Sequence, residues 1–383
     1  MPTQRKRNPN GAGTVTKRKD GRYQAAVYVL QPDGTRARKF AYGKSWAECD
    51  AKRRVLLTKV DQGLPVPTKS TKLAEWLPYW LDNVIKPRRK RTTYAKYEMH
   101  TRLYLSPMLG SHRLEALGPR HIRAFLVDLA GKTTPATAKE AHRVLRTALT
   151  AACREELVGR NVAALVEPPK VVSRETSPWS LDETLRFLQE ARKDPLYAAF
   201  VLGIAMGLRR GEVMGLRWSD VDLDKREIKV RHQLQRIRGE LYEDTTKSGK
   251  VRPIPLPLIC VAALRWHRLC QRAIAERNGA SVAPDSYVFT TRSGRPVEPR
   301  NLSRSFARLS AAAGLRPIRL HDTRHGCATL LVAAGVAPRV VMEILGHSQI
   351  SITMDVYTHV TSDTQREAIS HMDRLLKRRP GRE

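Results

Sequence analysis

Five short stretches hold residues whose types and spacing suit chemistry. In MGLRRGEVMGLRW (206–218), Arg209 follows a glycine turn, and Lys247-Ser248-Gly249-Lys250 places two lysines in a second turn. HDTRHGCATLL (321–331) sets His321 and Arg324 at i, i+3, on one face of a helix. LGHS holds His347, and DVYTHV holds Tyr357 ten residues further on. Guanidinium groups stay charged and grip phosphate oxygens with a two-pronged fork. A phenol is a weak nucleophile at its usual pKa of about 10, yet it forms covalent intermediates. Imidazoles and amines move protons. Taken singly, each stretch has an ordinary structural reading, since His-x-x-Arg is commonly a hydrogen-bonded pair and a tyrosine commonly a packed ring. His321 and His325, with His347 and His359 near in sequence, also suggest a zinc site. However, Asp322 stands where H-E-x-x-H would have its glutamate, so no metal is expected.

Positioning these residues requires a framework. GTVTKRKDGRYQAAVYV and GTRARKFAYG read as strands, with Asp20-Gly21 and Asp33-Gly34 as turns. Ser45 caps a predicted helix through Gln62, with Trp46, Val55 and Val60 as its apolar positions. The result is a three-stranded sheet with one helix, carrying Arg18, Arg22, Arg36 and Arg38 near one face. GLPVPTKSTK (63–72) reads as a linker. Residues 73–165 read as all helix: Leu73, Trp76, Leu77, Trp80, Leu81 and Val84 recur with helical spacing, as do Ile122, Phe125, Leu126 and Leu129. The basic run Arg88, Arg89, Lys90 and Arg91 lies between the first two helices. VEPPKVVSRETSPW (166–179) is a second linker. Beyond Ser180 the pattern is helical, with Leu181, Leu185 and Leu188 as apolar positions. REIKVRHQ, KVRPIPL and YVFTT read as strands, and helices are predicted at 258–278, 299–313, 322–334, 338–345 and 362–377.

The 383 residues include 69 Lys+Arg against 37 Asp+Glu, a formal charge of +32 that calls for an anionic partner, nucleic acid first. That charge is uneven: residues 1–65 carry net +10, 66–173 carry net +10, and the remaining 210 carry net +12. The longest uncharged apolar stretch, Ala198 to Leu208, is 11 residues, against the ~20 of a bilayer helix. The N-terminus has no apolar stretch of signal-peptide type. Five scattered cysteines form no Cys-x-x-Cys and point to a reducing cytoplasm.

The ordered set of Arg209 in a GLR-x-x-E box, Lys247 in a hairpin turn, His321-x-x-Arg324, Gly346-His347 and Tyr357 resembles the tyrosine recombinase (phage integrase) family. The resemblance is close over roughly 175–377. It is looser over 70–165, as a helical core-site-binding domain, and weakest over 11–62, as an arm-DNA-binding module. It implies a multidomain fold: a small sheet-plus-helix module (1–65), an all-α core-binding domain (66–173) and a mainly α catalytic domain with a small antiparallel sheet (174–383). It also implies roles. Arg209 and Arg324 bind the scissile phosphate, and Tyr357 attacks phosphorus to leave a 3′-phosphotyrosine and a free 5′-hydroxyl. Lys247, rather than Lys250, protonates the leaving oxygen. His321 accepts the tyrosine proton, His347 donates to a non-bridging oxygen, and Glu212 orients neighbouring basic groups. Arg210 and Arg217 are expected to be structural or to contact phosphates.

No cofactor is implied, and the chain lacks a G-x-x-x-x-G-K-[ST] loop for ATP. The implied partners are double-stranded DNA at core and arm sites, a homotetramer acting through a Holliday junction, and possible accessory factors, namely a host DNA-bending protein and an excision factor. The implied setting is the bacterial nucleoid, with integration or excision of a phage or other mobile element, and no membrane. Two rivals remain: a type IB topoisomerase relaxing DNA with the same tyrosine chemistry, and a non-enzymatic repressor. The arm-like module argues against the first and the complete catalytic set against the second. Residues 361–379 are amphipathic, with Ile369, Met372 and Leu376, and dock either in cis or on a neighbouring protomer.

Overall fold

The computed structural model describes residues 11–30, 35–61, 71–171, 177–246 and 251–346. They fall into two compact units, Met1–Ser173 and Arg174–Glu383.

The first unit begins with an antiparallel sheet, β1 (Thr14–Lys17), β2 (Tyr23–Leu30) and β3 (Arg36–Gly43), in the order β1-β2-β3. Alternation along β2 and β3 sends Val27 and Val29 inward and leaves Tyr28, Phe40 and Tyr42 exposed. Helix α1 (Trp46–Asp61) covers the inner face; the Ser45 hydroxyl accepts from the Glu48 N–H at 3.2 Å, as a cap should. Its register differs from expectation. Trp46 and Val55 are exposed, while Cys49 is buried and Leu56, Leu57 and Val60 pack on Val27 and Val29. Arg36 and Arg38 share the outer face with the aromatics, and Arg38 lies 5.9 Å over Tyr28 and 5.5 Å over Phe40. Arg18 sits 5.3 Å over Tyr42, and Arg22 pairs with Asp20 in the first turn.

The rest of this unit is helical: α2 (Leu73–Tyr79), α3 (Arg91–His100), α4 (Ser106–Leu109), α5 (Pro119–Lys132) and α6 (Pro135–Arg154). Trp76, Trp80, Phe125 and Leu145 are among its buried side chains, and the Trp76 indole donates to the Ala148 carbonyl at 3.0 Å. Wide π turns at Trp80–Ile85 and Thr101–Leu105 each lie beside a proline, Pro78 and Pro107, which withholds an N–H from the ladder. Arg88, Arg89, Lys90 and Arg91 are all exposed.

The second unit contains α7 (Leu181–Ala191), α8 (Tyr197–Ala205), α9 (Arg210–Met214), strands β4 (Val221–Asp222), β5 (Glu227–Val230), β6 (His232–Ile237), β7 (Glu240–Thr245) and β8 (Arg252–Pro255), then α10 (Leu258–Arg277), α11 (Pro299–Ala312), α12 (Asp322–Ala333) and α13 (Pro338–Leu345). Ser180 caps α7. The apolar pattern expected there is wrong in detail, because Leu181 and Leu185 are exposed and Thr184, Phe187 and Ala191 face inward. REIKVRHQ is two strands broken at Arg231, with β5 in a β4-β5-β8 sheet and β6 in a separate hairpin with β7. YVFTT is no strand; it makes only isolated bridges, Arg217 to Tyr287 and Thr290 to Pro296. The expected helix at 362–377 lies outside the described residues. Helix α8 is buried almost throughout, which explains its apolar sequence without a membrane. Among the described residues no helix is long and apolar enough to cross one.

Candidate active site

Glycine chemistry shapes the entry to the site. Gly207 has φ +60°, a left-handed conformation that turns the chain between α8 and α9. A Cβ there would meet Leu345 Cδ2 at 2.3 Å and Cys327 Cβ at 3.4 Å. Replacing Gly207 by Ala therefore adds backbone strain and overpacking, and should cost about 1–3 kcal/mol of stability, measured by denaturant unfolding.

Arg209 caps α9. Its own N–H donates to Glu212 Oε2 at 3.0 Å, and its Nη1 donates to Glu212 Oε1 at 2.9 Å. Glu212 is 1% exposed, so its charge is held inside by this ion pair. Arg209 Nη2 donates to the Gly346 carbonyl at 2.9 Å. Arg324 is 4% exposed; its Nη1 donates to the Gly207 carbonyl at 2.6 Å and its Nη2 to the Leu345 carbonyl at 2.5 Å. The two guanidinium groups, which repel each other, thus bind consecutive carbonyls at the C-terminal end of α13. Those carbonyls lack helical partners, and the helix end carries partial negative charge. A sequence separation of 115 residues between the arginines closes at one helix terminus.

His321 begins α12 next to this pair. Burial, then His325 and Arg324, lower its pKa; Asp322 opposes the shift and Arg209 adds to it. Near pH 7 the imidazole is therefore neutral and able to accept a proton. Its ring meets that of His325 edge-on, with centroids 5.7 Å apart. Asp322, considered above only as a misplaced zinc base, is wholly buried and fixes the start of the helix. It accepts from the Arg319 N–H at 2.8 Å and from the Arg319 guanidinium at 2.7 Å. Burial alone would raise the Asp322 pKa, but the Arg319 hydrogen bonds outweigh it and leave the carboxylate below its usual value. Arg210 donates to the Ser303 hydroxyl at 2.9 Å, and Arg217 enters an ion-pair cluster with Glu243. Lys247, His347 and Tyr357 lie outside the described residues. Among the described residues no cluster of three or more His, Cys, Asp or Glu could hold a metal ion.

Residues 180–364 match the phage integrase family, and residues 72–130 match the phage integrase N-terminal SAM-like domain. A tyrosine recombinase XerC-like protein of Caldanaerobacter subterraneus subsp. tengcongensis is 30% identical over 378 residues, covering 92% of this chain and 96% of that protein. The chain belongs to the tyrosine recombinase family. As such, the recombinase is an enzyme that cleaves and rejoins DNA strands. An integrase of Saccharopolyspora erythraea is 25% identical to it over 431 residues, covering 97% of this chain and 98% of the relative. Among solved structures, the Tn1549 transposon integrase in complex with a circular intermediate DNA shares the fold with a TM-score of 0.68 at 24% identity, over 79% of this chain and 100% of that one. A lambda integrase tetramer bound to a Holliday junction matches with a TM-score of 0.59 at 19% identity, over 91% of this chain and 96% of that one. The recombinase therefore has a multidomain integrase fold, helix-rich with small antiparallel sheets. The relatives are named as recombinases and integrases, so the topoisomerase alternative is not favoured.

Proposed function

We propose that the recombinase integrates or excises a mobile element by cutting core-site DNA beside the two arginines held at the end of α13. The observation that carries this reading is the convergence of Arg209 and Arg324 on the carbonyls of Leu345 and Gly346, beside His321. Two forks there suit the non-bridging oxygens of a phosphodiester, whose charge grows as a fifth oxygen approaches phosphorus. In this scheme Tyr357 supplies that oxygen, neutral His321 takes its proton, His347 donates to a non-bridging oxygen and Lys247 protonates the departing 5′ oxygen. No cofactor takes part.

The surrounding assignments follow the same logic. Residues 66–173 grip the core site, with the exposed run Arg88–Arg91 contributing salt-dependent affinity. Residues 1–65 bind arm sites through the outer sheet face, where Arg36 and Arg38 stand among Tyr28, Phe40 and Tyr42; a face of this kind enters a groove. Residues 174–383 carry the chemistry. A lambda integrase tetramer bound to a Holliday junction has a similar fold, which supports a homotetramer acting through such a junction. Exchange of one strand pair at a time, in the bacterial nucleoid, is part of the same proposal. A bending protein and an excision factor are possible additions to that assembly.

The test uses the full chain. Incubating it with a pool of nicked duplexes, without divalent metal, should give denaturant-resistant protein–DNA adducts whose DNA shares one sequence. Adducts of random sequence, or none without Mg²⁺, would overturn the reading.

A further inference from the structure

Helix α10 carries apolar side chains on two faces. Cys260, Val261, Ala263 and Leu264 are buried in the core of the second unit. On the other side Ile259, Ala262, Trp266, Leu269 and Ala273 are exposed, Trp266 at 65%, Leu269 at 60% and Ile259 at 45%. Single apolar residues scattered over a surface are ordinary. These five are not scattered. Their spacing is 3, 4, 3 and 4 residues, the a and d pattern of a helix that pairs with another helix. From Ile259 to Ala273 the row is about 21 Å long. A continuous apolar row of that length in water marks a surface for a partner. Trp266 stands at its middle, and tryptophan is the side chain that most often anchors an interface.

Charge beside the row decides which partner fits. Arg265 and Arg272 immediately precede Trp266 and Ala273, at the positions where paired helices bring their charges together. On that flank, between α10 and the β4–β5 segment, lies a cleft of about 610 Å³ lined by Arg265, Arg268, Leu269 and Arg272. Arg268 sits 5.0 Å over the Trp218 ring. Of the carboxylates lining the cleft, Asp220 pairs with Arg231 at 2.9 Å, and Asp222 accepts from the N–H groups of Asp224 and Lys225. Asp224 stands 3.6 Å from Arg265. Among the described residues, Arg268 and Arg272 enter no ion pair.

A second copy of the chain does not complete this row. The flanking positions are Ala263, Arg265, Cys270, Arg272 and Arg277, so two copies, paired in either direction, bring no carboxylate to the arginines. The stretch 361–379 fits no better, with Arg366, Arg374, Lys377, Arg378 and Arg379 against Asp363, Glu367 and Asp373. A DNA backbone would meet the arginines and leave Trp266 and Leu269 in water. We propose that the outer face of α10 docks an amphipathic helix of a partner protein, apolar along one seam and flanked by aspartate or glutamate. Trp266 and Leu269 pack between the apolar side chains of that helix, and its carboxylates reach Arg265, Arg272 and the cleft.

The test uses the full chain and a synthetic helix of about three heptads, with leucine at a and d and glutamate at e and g, followed by fluorescence anisotropy. A twin has lysine in place of glutamate. A scrambled glutamate peptide keeps the composition without the period, and so measures the pull of a chain of net charge +32 on any acid. The glutamate helix should bind at least about tenfold more tightly than either of the others, and Trp266→Ala should weaken it by at least about tenfold. Arg265→Glu combined with Arg272→Glu should reverse the preference in favour of the lysine twin. All three positions are exposed, so the variants should melt as wild type does. Bound glutamate helix should also shield the exposed thiol of Cys270, next to Leu269, from alkylation, read by peptide mass mapping. Equal binding of the periodic and scrambled peptides, or undiminished binding by Trp266→Ala, would overturn the inference. A Cys270 already protected in the free chain would do so too, by showing that a second copy or the chain's own terminus covers the row. Displacement of the peptide by excess duplex would assign the face to DNA instead.

Discussion

Tyr357→Phe yields a recombinase that binds its core site and forms no covalent adduct. The expectation comes from the place of Tyr357 at the end of the ordered series Arg209, Lys247, His321, Arg324 and His347. The chain has eleven tyrosines, and a merely packed phenol behaves differently. Losing one packed hydroxyl costs about 1 kcal/mol of stability and leaves cleavage in place. Losing the nucleophile instead removes the oxygen that bonds to phosphorus, and cleavage stops. A core site nicked close to the cleavage point lets the cut fragment diffuse away, so the wild-type adduct accumulates. Peptide mapping should then find DNA on the peptide that holds Tyr357. An adduct on any other tyrosine, or an unchanged adduct yield from the Phe variant, would overturn the assignment.

Arg324→Lys and Arg209→Lys should each lower cleavage by about 10³ or more while leaving core-site affinity within about tenfold of wild type. Lysine keeps the charge but offers one point where arginine offers a fork. Arg324 uses two of its nitrogens on the Gly207 and Leu345 carbonyls and so presents the rest of the guanidinium in one orientation. A lysine ammonium cannot reach both carbonyls and a phosphate together. The two variants should differ in stability. Arg324 is 4% exposed and its loss leaves buried carbonyls unsatisfied, whereas the Arg209 side chain is 25% exposed. Thermal melting should place Arg324→Lys below Arg209→Lys. Near-normal cleavage by both would take these residues out of the chemistry.

Much of this architecture is legible in the sequence, and the exceptions have physical causes. Ser45 and Ser180 announce their helices because a hydroxyl before an apolar run has one obvious use. The inward faces of α1 and α7 were not legible, because both helices carry apolar residues on several sides and burial depends on which side meets a partner. The β6–β7 hairpin was hidden because its two-residue turn has Arg238, at φ +49°, where asparagine or aspartate would signal a primed turn. Residue types and order reveal Arg209, His321 and Arg324 as candidates. Nothing in the sequence reveals that Leu345 and Gly346 hold two of them, since every peptide unit has a carbonyl and the point where the helix stops decides that these two lack a helical partner. Glu243 and Tyr287 carry no local signature, and their contacts with Arg217 arise only when three distant segments meet.

Anchoring two arginines on main-chain oxygens has an evolutionary corollary. A side-chain acceptor can be lost in a single codon change, but a carbonyl survives every substitution at its own position. Drift at position 345 would change how α13 packs without deleting the group that Arg324 grips. What selection must preserve is the place where the helix stops, set here by Gly346 at φ +66° and ψ +49°. A lineage could thus rework the surface of α13 extensively, provided it kept a residue at 346 that tolerates a left-handed turn.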